Sequence, residues 1–99
     1  MNVNIQTVNF DADKKLLEFI NLKMEKLSTF NDRIIENDVY LKLDNIVHTI
    51  KDKVVEIKVH VPGHRFFVKS TSKSFEESFD AAFDSLVTQI KRRKQKMAA

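Results

Sequence analysis

The sequence lacks cysteine, and it has only one glycine and one proline among its 99 residues. Without cysteine, the chain can form no disulfide, no thiolate nucleophile and no cysteine-ligated zinc site. A single glycine also excludes a glycine-rich phosphate-binding loop. Because that glycine follows the proline directly, at Pro62-Gly63, we find neither a flexible linker nor a low-complexity stretch.

Long apolar runs are also missing. The longest run is a few residues, whereas a bilayer-spanning helix needs about 20. The opening residues have neither the basic start nor the continuous apolar segment of a secretory signal. The length fits one domain, which we assign to residues 1–99. We therefore expect a small, soluble, cytoplasmic domain.

Charge is divided unevenly along the chain. Lysine and arginine together number 17 against 14 acidic residues, a net charge of +3. All 14 acidic residues and 12 of the basic ones lie at or before Ile90, so this part carries a net charge of −2. From Lys91 onward there are five cations and no acid. Such a block of one sign creates a local field that can hold a polyanion.

Alternation of apolar and polar residues predicts four strands. These segments are residues 1–8, 39–44, 54–61 and 65–72. We assign the stretches between them to a polar connector at 30–38, a strand end and hairpin loop at 45–53, and a tight turn at 62–64.

Apolar residues at spacings of three and four predict two helices. The first begins after Asp13, which can cap it, and ends near Ser28. Its apolar face holds Leu16, Ile20, Met24 and Leu27. The second follows a capping box of Ser74 and Glu77 and continues into the basic block. Its apolar stripe holds Phe75, Phe79, Ala82, Phe83, Leu86 and Ile90.

The element order β-α-β-β-β-α predicts an α+β fold. Because each helix is apolar on one face only, we expect both helices to pack on one face of a four-stranded sheet. The opposite face of the sheet should carry a mixed set of side chains, open to water. This set is Tyr40, Lys42, Val54, Lys58, His60, Phe67 and Lys69.

Catalytic patterns are scarce. His48, His60 and His64 fall in a loop, a strand and a turn without the spacing of metal ligands, so we interpret all three as surface residues. The carboxylates are scattered among lysines, and no pair is set apart for acid–base chemistry. We expect no enzymatic activity, no metal and no cofactor.

The basic end is the strongest functional pattern. Five cations within six residues exceed what the helix dipole can use, because its influence fades within one turn. Contact with nucleic acid or the ribosome is the favoured interpretation, and a solubilising tail is the alternative. Lys23 and Lys26 form a weaker set on the first helix. Tyr40 and Phe67 could stack on bases, although cross-strand packing is favoured.

Several segments together resemble one known family. They are MNVNI, LLEFINLKMEKL, FNDRI, VHT and SFDAAFDSLVTQIKRRKQK, in unbroken order over nearly the full length. The most specific are K-x-x-K-L in the first helix and AAFDSL with the basic ending. The chain thus resembles the short ribosome hibernation promoting factors and the related ribosome-associated translation inhibitor, a bacterial family of the stationary phase and stress response.

The resemblance implies a fold like that of double-stranded RNA-binding domains. It also implies binding to the small ribosomal subunit and its rRNA, in the channel for mRNA and tRNA. Translation would be inhibited, and idle ribosomes preserved, by steric occlusion. We expect no small-molecule substrate, no membrane partner and a monomer when free. The alternatives are a generic double-stranded RNA-binding module and a protein–protein interaction domain that uses the open sheet face.

Positions carried over from the family suggest the rRNA-binding residues. Lys23, Lys26, Arg92, Lys94 and Lys96 fall where relatives have basic residues that face rRNA. Arg33 matches a recurrent basic residue of the connector, and Lys91 and Arg93 are additional cations. The chain departs from the pattern at Ser85 and Thr88, where relatives often have lysine or arginine. We also expect it to be the short form, without the second domain of the long family members.

Overall fold

The predicted element order is confirmed by the computed structural model, which describes residues 3–30, 33–44 and 52–98. The elements are β1 (Val3–Val8), α1 (Lys14–Glu25), a 3₁₀ helix (Lys26–Thr29), β2 (Glu36–Leu43), β3 (Lys53–Val61), β4 (His64–Ser72) and α2 (Phe75–Ala98). The chain therefore has the predicted α+β fold, with one mixed sheet and two helices.

The four strands lie in the order β1-β2-β3-β4. β1 and β2 are parallel because α1 connects them as a crossover, whereas the other two pairs are antiparallel. The register places Val39 opposite Ile57 and Ile57 opposite Val68. These buried side chains face the helices, so the period-two alternation seen in the sequence corresponds to two different faces of the sheet.

Both helices pack on the same face of the sheet and run side by side. The Phe19 and Phe79 rings meet edge to face at 5.8 Å between their centroids, and the Phe10 ring stacks on Phe75 at 4.6 Å. The apolar stripe of α2 covers β3 and β4 as far as Ile90, which is fully buried. From residue 91 to 96, all side chains are exposed except that of Arg93, which is half-buried. The basic part of α2 therefore begins where the core ends.

The predicted helix caps are present, with one change of partner. The Asp13 carboxylate accepts a hydrogen bond from the Leu16 amide at 2.7 Å, and the Ser74 hydroxyl accepts one from the Glu77 amide at 3.1 Å. In a capping box, the Ser74 amide would donate to the Glu77 carboxylate. Here it donates to the Ser72 hydroxyl instead, at 3.4 Å.

Three predicted boundaries were wrong by a few residues. β2 begins at Glu36 and not after residue 38, because backbone pairing with β1 and β3 continues through the polar residues; Asn37 pairs with Val3 and Val59 and is buried. α1 gives way to the 3₁₀ helix after Glu25. His64 is the first residue of β4 and not part of the turn.

Some predictions lie outside the described residues. They concern the first two residues of the opening strand, residues 31 and 32 of the connector, and residues 45–51, which include His48 and most of the predicted hairpin loop.

A chain of hydroxyl groups fastens the start of α2 to the sheet. Ser78 is fully buried, and its hydroxyl donates to the Lys53 carbonyl oxygen at 2.5 Å. The Ser72 and Ser78 oxygens are 2.8 Å apart, and Ser72 also accepts from the Ser74 amide. The single Ser72 hydroxyl proton can be donated either to Ser78 or to the Ser74 carbonyl oxygen, also at 2.8 Å. Three elements, β3, β4 and α2, thus meet at one serine.

Ser78→Ala should therefore lower the free energy of unfolding by about 1–3 kcal/mol, because the Lys53 carbonyl and the Ser72 hydroxyl lose a buried partner. Urea denaturation monitored by circular dichroism measures this change. Ser85→Ala is the matched control, since Ser85 lies on the same helix and is exposed. An equal effect of both substitutions on stability would contradict this account of the hydroxyl chain.

Candidate nucleic-acid interface

Cations from two separate segments converge at the end of α2. Two adjoining surface depressions share Arg93 and Phe66 and differ in their remaining walls. The smaller, of about 90 Å³, lies beside the connector and is lined by Arg33, Val61, Pro62, Phe66, Ile90, Arg93 and Lys94. The larger, of about 240 Å³, is lined by His64, Phe66, Gln89, Arg92, Arg93 and Lys96. We call Arg33, Arg92, Arg93, Lys94 and Lys96 the cationic end.

Helical periodicity explains which cations line which depression. Gln89, Arg92, Arg93 and Lys96 follow one another at spacings of three, one and three, so they share one face of α2. Lys94 is four residues after Ile90 and lies on the neighbouring face, toward the connector. The same period that buries the apolar stripe therefore distributes the cations around the helix end.

Negative charge on α2 is confined to its first half. Asp84 is the last acidic residue in the sequence, eight residues before Arg92. At 1.5 Å per residue this is about 12 Å along the helix axis, beyond the screening length of about 8 Å at physiological salt. Exposed charges at that distance are largely screened, so the acidic residues of α2 have little effect on the potential at Arg92, Arg93, Lys94 and Lys96.

Lys91 joins the helix end to the 3₁₀ helix. Its ammonium nitrogen lies 5.1 Å from the centroid of the Phe30 ring, within the range of a cation–π contact. Phe30 caps the 3₁₀ helix that begins at Lys26. Lys26 itself is exposed. The contact therefore holds the segment that carries Lys26 against the end of α2.

Lys23 has a different environment from the other predicted cations. Its ammonium nitrogen is 3.8 Å from the Asp80 carboxylate and 6.0 Å from the centroids of both the Phe19 and Phe83 rings. Lys23 thus stands between the two helices, with a carboxylate beside its charge. This pairing could not be predicted from the sequence, because it depends on how α1 and α2 are placed against each other.

Exposed polar residues separate the acidic and basic parts of α2. Ser85 and Thr88 are exposed, and the Thr88 hydroxyl donates to the Asp84 carbonyl at 3.0 Å. These two positions therefore add no charge to the middle of the helix. The positive charge of this helix is concentrated after Ile90.

The open face of the sheet carries charges of both signs. Lys58 lies between two rings, 5.2 Å from the centroid of Tyr40 and 5.8 Å from that of Phe67. Both aromatic residues therefore make a contact with Lys58 of the middle strand β3. Lys42 and Glu56 form an ion pair at 2.9 Å. A groove of about 500 Å³ on this side is lined by Glu36, Asp38, Lys58, Val59, His60, Arg65, Phe66 and Phe67. Its two carboxylates make it a weaker site for a polyanion than the cationic end.

Two further properties of the described residues bear on function. Across the ranges 3–30, 33–44 and 52–98, no three histidine, aspartate or glutamate side chains are grouped so that they could hold a metal ion. Within the same ranges, no helix is long and apolar enough to cross a membrane.

The sequence missed His64 and Gln89 as parts of the site. Gln89 precedes the basic block, and its place follows from the helical period alone. His64 was interpreted as a surface residue of a turn, whereas strand pairing and the packing of β4 against α2 bring it beside Arg92, Arg93 and Lys96.

Comparison with known proteins covers nearly the whole chain. The family model described as "Sigma 54 modulation protein / S30EA ribosomal protein" matches residues 3–98. The chain is 28% identical over 97 residues to the ribosome hibernation promoting factor of Escherichia coli K12, covering 98% of this chain and 97% of the relative. The corresponding factor of Pseudomonas putida is 23% identical over 96 residues, covering 97% of this chain and 89% of the relative.

Solved structures support the same fold. The N-terminal domain of Thermus thermophilus Protein Y superposes with a TM-score of 0.78 at 26% identity, covering 93% of this chain and 98% of that one. A ribosomal subunit interface protein from Coxiella burnetii gives a TM-score of 0.83 at 20% identity, covering 96% and 99%. At that identity the second likeness shows the fold alone.

Proposed function

The chain belongs to the Sigma 54 modulation protein / S30EA ribosomal protein family, and on that premise we propose that it binds the small ribosomal subunit in the mRNA and tRNA channel. The family comprises ribosome hibernation factors that modulate translation and are not enzymes. In our proposal the chain inhibits translation by occupying the channel, and it thereby preserves idle ribosomes.

The observation that carries the proposal is the convergence of positive charge at one end of the fold. Arg33 from the connector and four cations of α2 surround two adjoining depressions, and neither depression is lined by a carboxylate. Phosphate oxygens are the natural ligands of such a site, since each contact releases a condensed counterion from the RNA. Contacts of this kind position a protein on RNA without reading the sequence.

Individual cations contribute differently in this proposal. Arg92, Lys94, Lys96 and Arg33 contact rRNA phosphates, with Arg93 between the two depressions. Lys26 and Lys91 extend the contact along the 3₁₀ helix. Lys23 contributes less, because the Asp80 carboxylate already compensates part of its charge.

Occlusion requires a body that stays folded and does no chemistry. The molecule measures 47 × 24 × 18 Å, and α2 continues past the core as a helix. Bound by its cationic end, such a body excludes mRNA and tRNA from the same space by volume alone. A tight fit in the channel therefore suffices for inhibition.

The two alternatives make different predictions. A generic double-stranded RNA binder holds free duplex RNA as tightly as ribosomes, whereas a hibernation factor prefers the small subunit. A protein–protein module on the open face requires Tyr40 and Phe67 and not the cationic end. The Lys58 contacts with both rings and the mixed charge of that face make it the weaker candidate.

Reversing three cations tests the site. Arg92→Glu, Lys94→Glu and Lys96→Glu combined should weaken co-sedimentation with small subunits on the order of 100-fold at low salt. The slope of log affinity against log salt should flatten by about 2–3 units, at roughly 0.7–0.9 for each of the three lost phosphate contacts.

The control for this variant changes the same net charge elsewhere. Lys14→Glu, Lys15→Glu and Lys73→Glu replace three exposed lysines near the beginnings of the two helices, and they should leave binding nearly intact. Equal binding by the parent and the triple variant of the cationic end, at every salt concentration, would show that the site assignment is wrong.

The Lys23–Asp80 pair gives a second prediction. Asp80→Asn removes the carboxylate beside Lys23, so affinity for small subunits should rise about two- to threefold. Asp84→Asn changes the same charge one turn later on α2, away from Lys23, and should have a smaller effect. If Asp80→Asn binds no better than Asp84→Asn in the same sedimentation assay, Lys23 has no part in the interface.

A further inference from the structure

His64 occupies a fixed place beside the end of α2. It pairs with Val61 across the turn that Gly63 permits with its positive φ of 76°. Its half-buried ring packs edge to face on Phe66, with 4.6 Å between the ring centroids. The imidazole is therefore held by the strand and by a neighbouring aromatic ring, on the sheet face that the helices cover.

Every charged side chain that lines the same depression is positive. Arg92, Arg93 and Lys96 of α2 line it together with His64 and the neutral amide of Gln89. On β3, the residue opposite His64 is the uncharged Val61. The neighbouring Arg65 of β4 pairs with His60, and both lie on the other face of the sheet. The depression thus combines three permanent cations, one amide and one imidazole.

We propose that this depression is a phosphate site of the rRNA contact and that His64 makes binding depend on pH, strengthening it as the pH falls. This inference rests on the proposed function, because it assigns the ligand and the regulation of part of the same surface. In this proposal, Arg92 and Lys96 hold a phosphodiester oxygen in the depression that His64 also lines, and the protonated imidazole donates a hydrogen bond to it.

The sign of the pH dependence follows from the charge of the bound phosphate. Its negative charge stabilises an adjacent imidazolium more than a neutral imidazole. Binding is therefore coupled to proton uptake, and by linkage the affinity rises as the pH falls through the range in which histidine titrates. Arginine and lysine stay charged throughout this range and add no pH dependence.

The first test requires no ribosome. The proton resonances of the histidine rings are followed by NMR near pH 6.5 while a short RNA duplex is added. The His64 signals should move toward their protonated positions. Those of His60, on the open sheet face, should stay in place. An unchanged His64 signal, while signals of Arg92 and Lys96 respond to the duplex, would overturn the inference.

The second test measures binding to small subunits at about pH 6 and about pH 7.5, at constant ionic strength. The parent should bind roughly two- to fivefold more tightly at the lower pH, as an exposed charge contact permits. His64→Gln should lose that difference, His64→Lys should bind tightly at both pH values, and His60→Gln should behave like the parent.

The two tests separate this inference from the proposed function. If His64→Gln keeps the full pH dependence of the parent, the inference is wrong and the proposed function stands. If the parent fails to bind small subunits at any pH while His64 still responds to the duplex, the channel proposal is wrong and the phosphate site stands.

Discussion

The packing of α2 across β3 and β4 is the constraint on which the rest of the structure depends. Phe79, Leu86 and Ile90 are fully buried, and each contributes about 1.5–3 kcal/mol of hydrophobic stabilisation. Ser78 adds the hydroxyl chain that ties the start of the helix to the sheet. Because the first sixteen residues of α2 are held in this way, the position of the following basic residues is determined by the core.

The packing of α2 gives the run of cations at its end a defined arrangement on the protein surface. Five cations in six residues repel one another, and on a free chain they would be a mobile tail. On a helix fastened as far as Ile90 they take fixed directions, and Arg33 and His64 meet them from the connector and from β4. Negative charge lies on the first half of α2 and on the open face, so the chain as a whole is only slightly basic. The net charge of the chain is therefore a poor indicator of binding to a polyanion, whereas the position of the positive charges is a good one.

Local patterns in the sequence predicted most of the fold. The apolar residues recur every two positions in β3 and every three to four positions in α2, which was sufficient to predict a strand and a helix. Asp13 and Ser74 correctly marked where the two helices begin. The start of β2 could not be predicted in this way. Asn37 is polar and would be expected at the surface, but it is buried because it pairs with β1 and β3. Alternation also predicted which residues share a sheet face, but not their exposure, since Val54 was expected to be open to water and is buried.

The candidate site was predictable only in part. The basic block is visible in the chain, whereas its convergence with Arg33 depends on where the connector lies in the fold. The contacts of Lys23 with Asp80 and the approach of His64 to α2 depend on tertiary packing between distant segments. These are the interactions that modify how strongly each cation can act, and only three-dimensional placement reveals them.

Competition with tRNA on the small subunit tests the central claim most directly. The apparent dissociation constant of fluorescent tRNA for mRNA-programmed small subunits is measured at increasing concentrations of this protein. Occlusion predicts that this constant rises linearly with the protein concentration, without a plateau, because the two ligands exclude each other. A complex that holds both ligands with unchanged tRNA affinity would contradict the account.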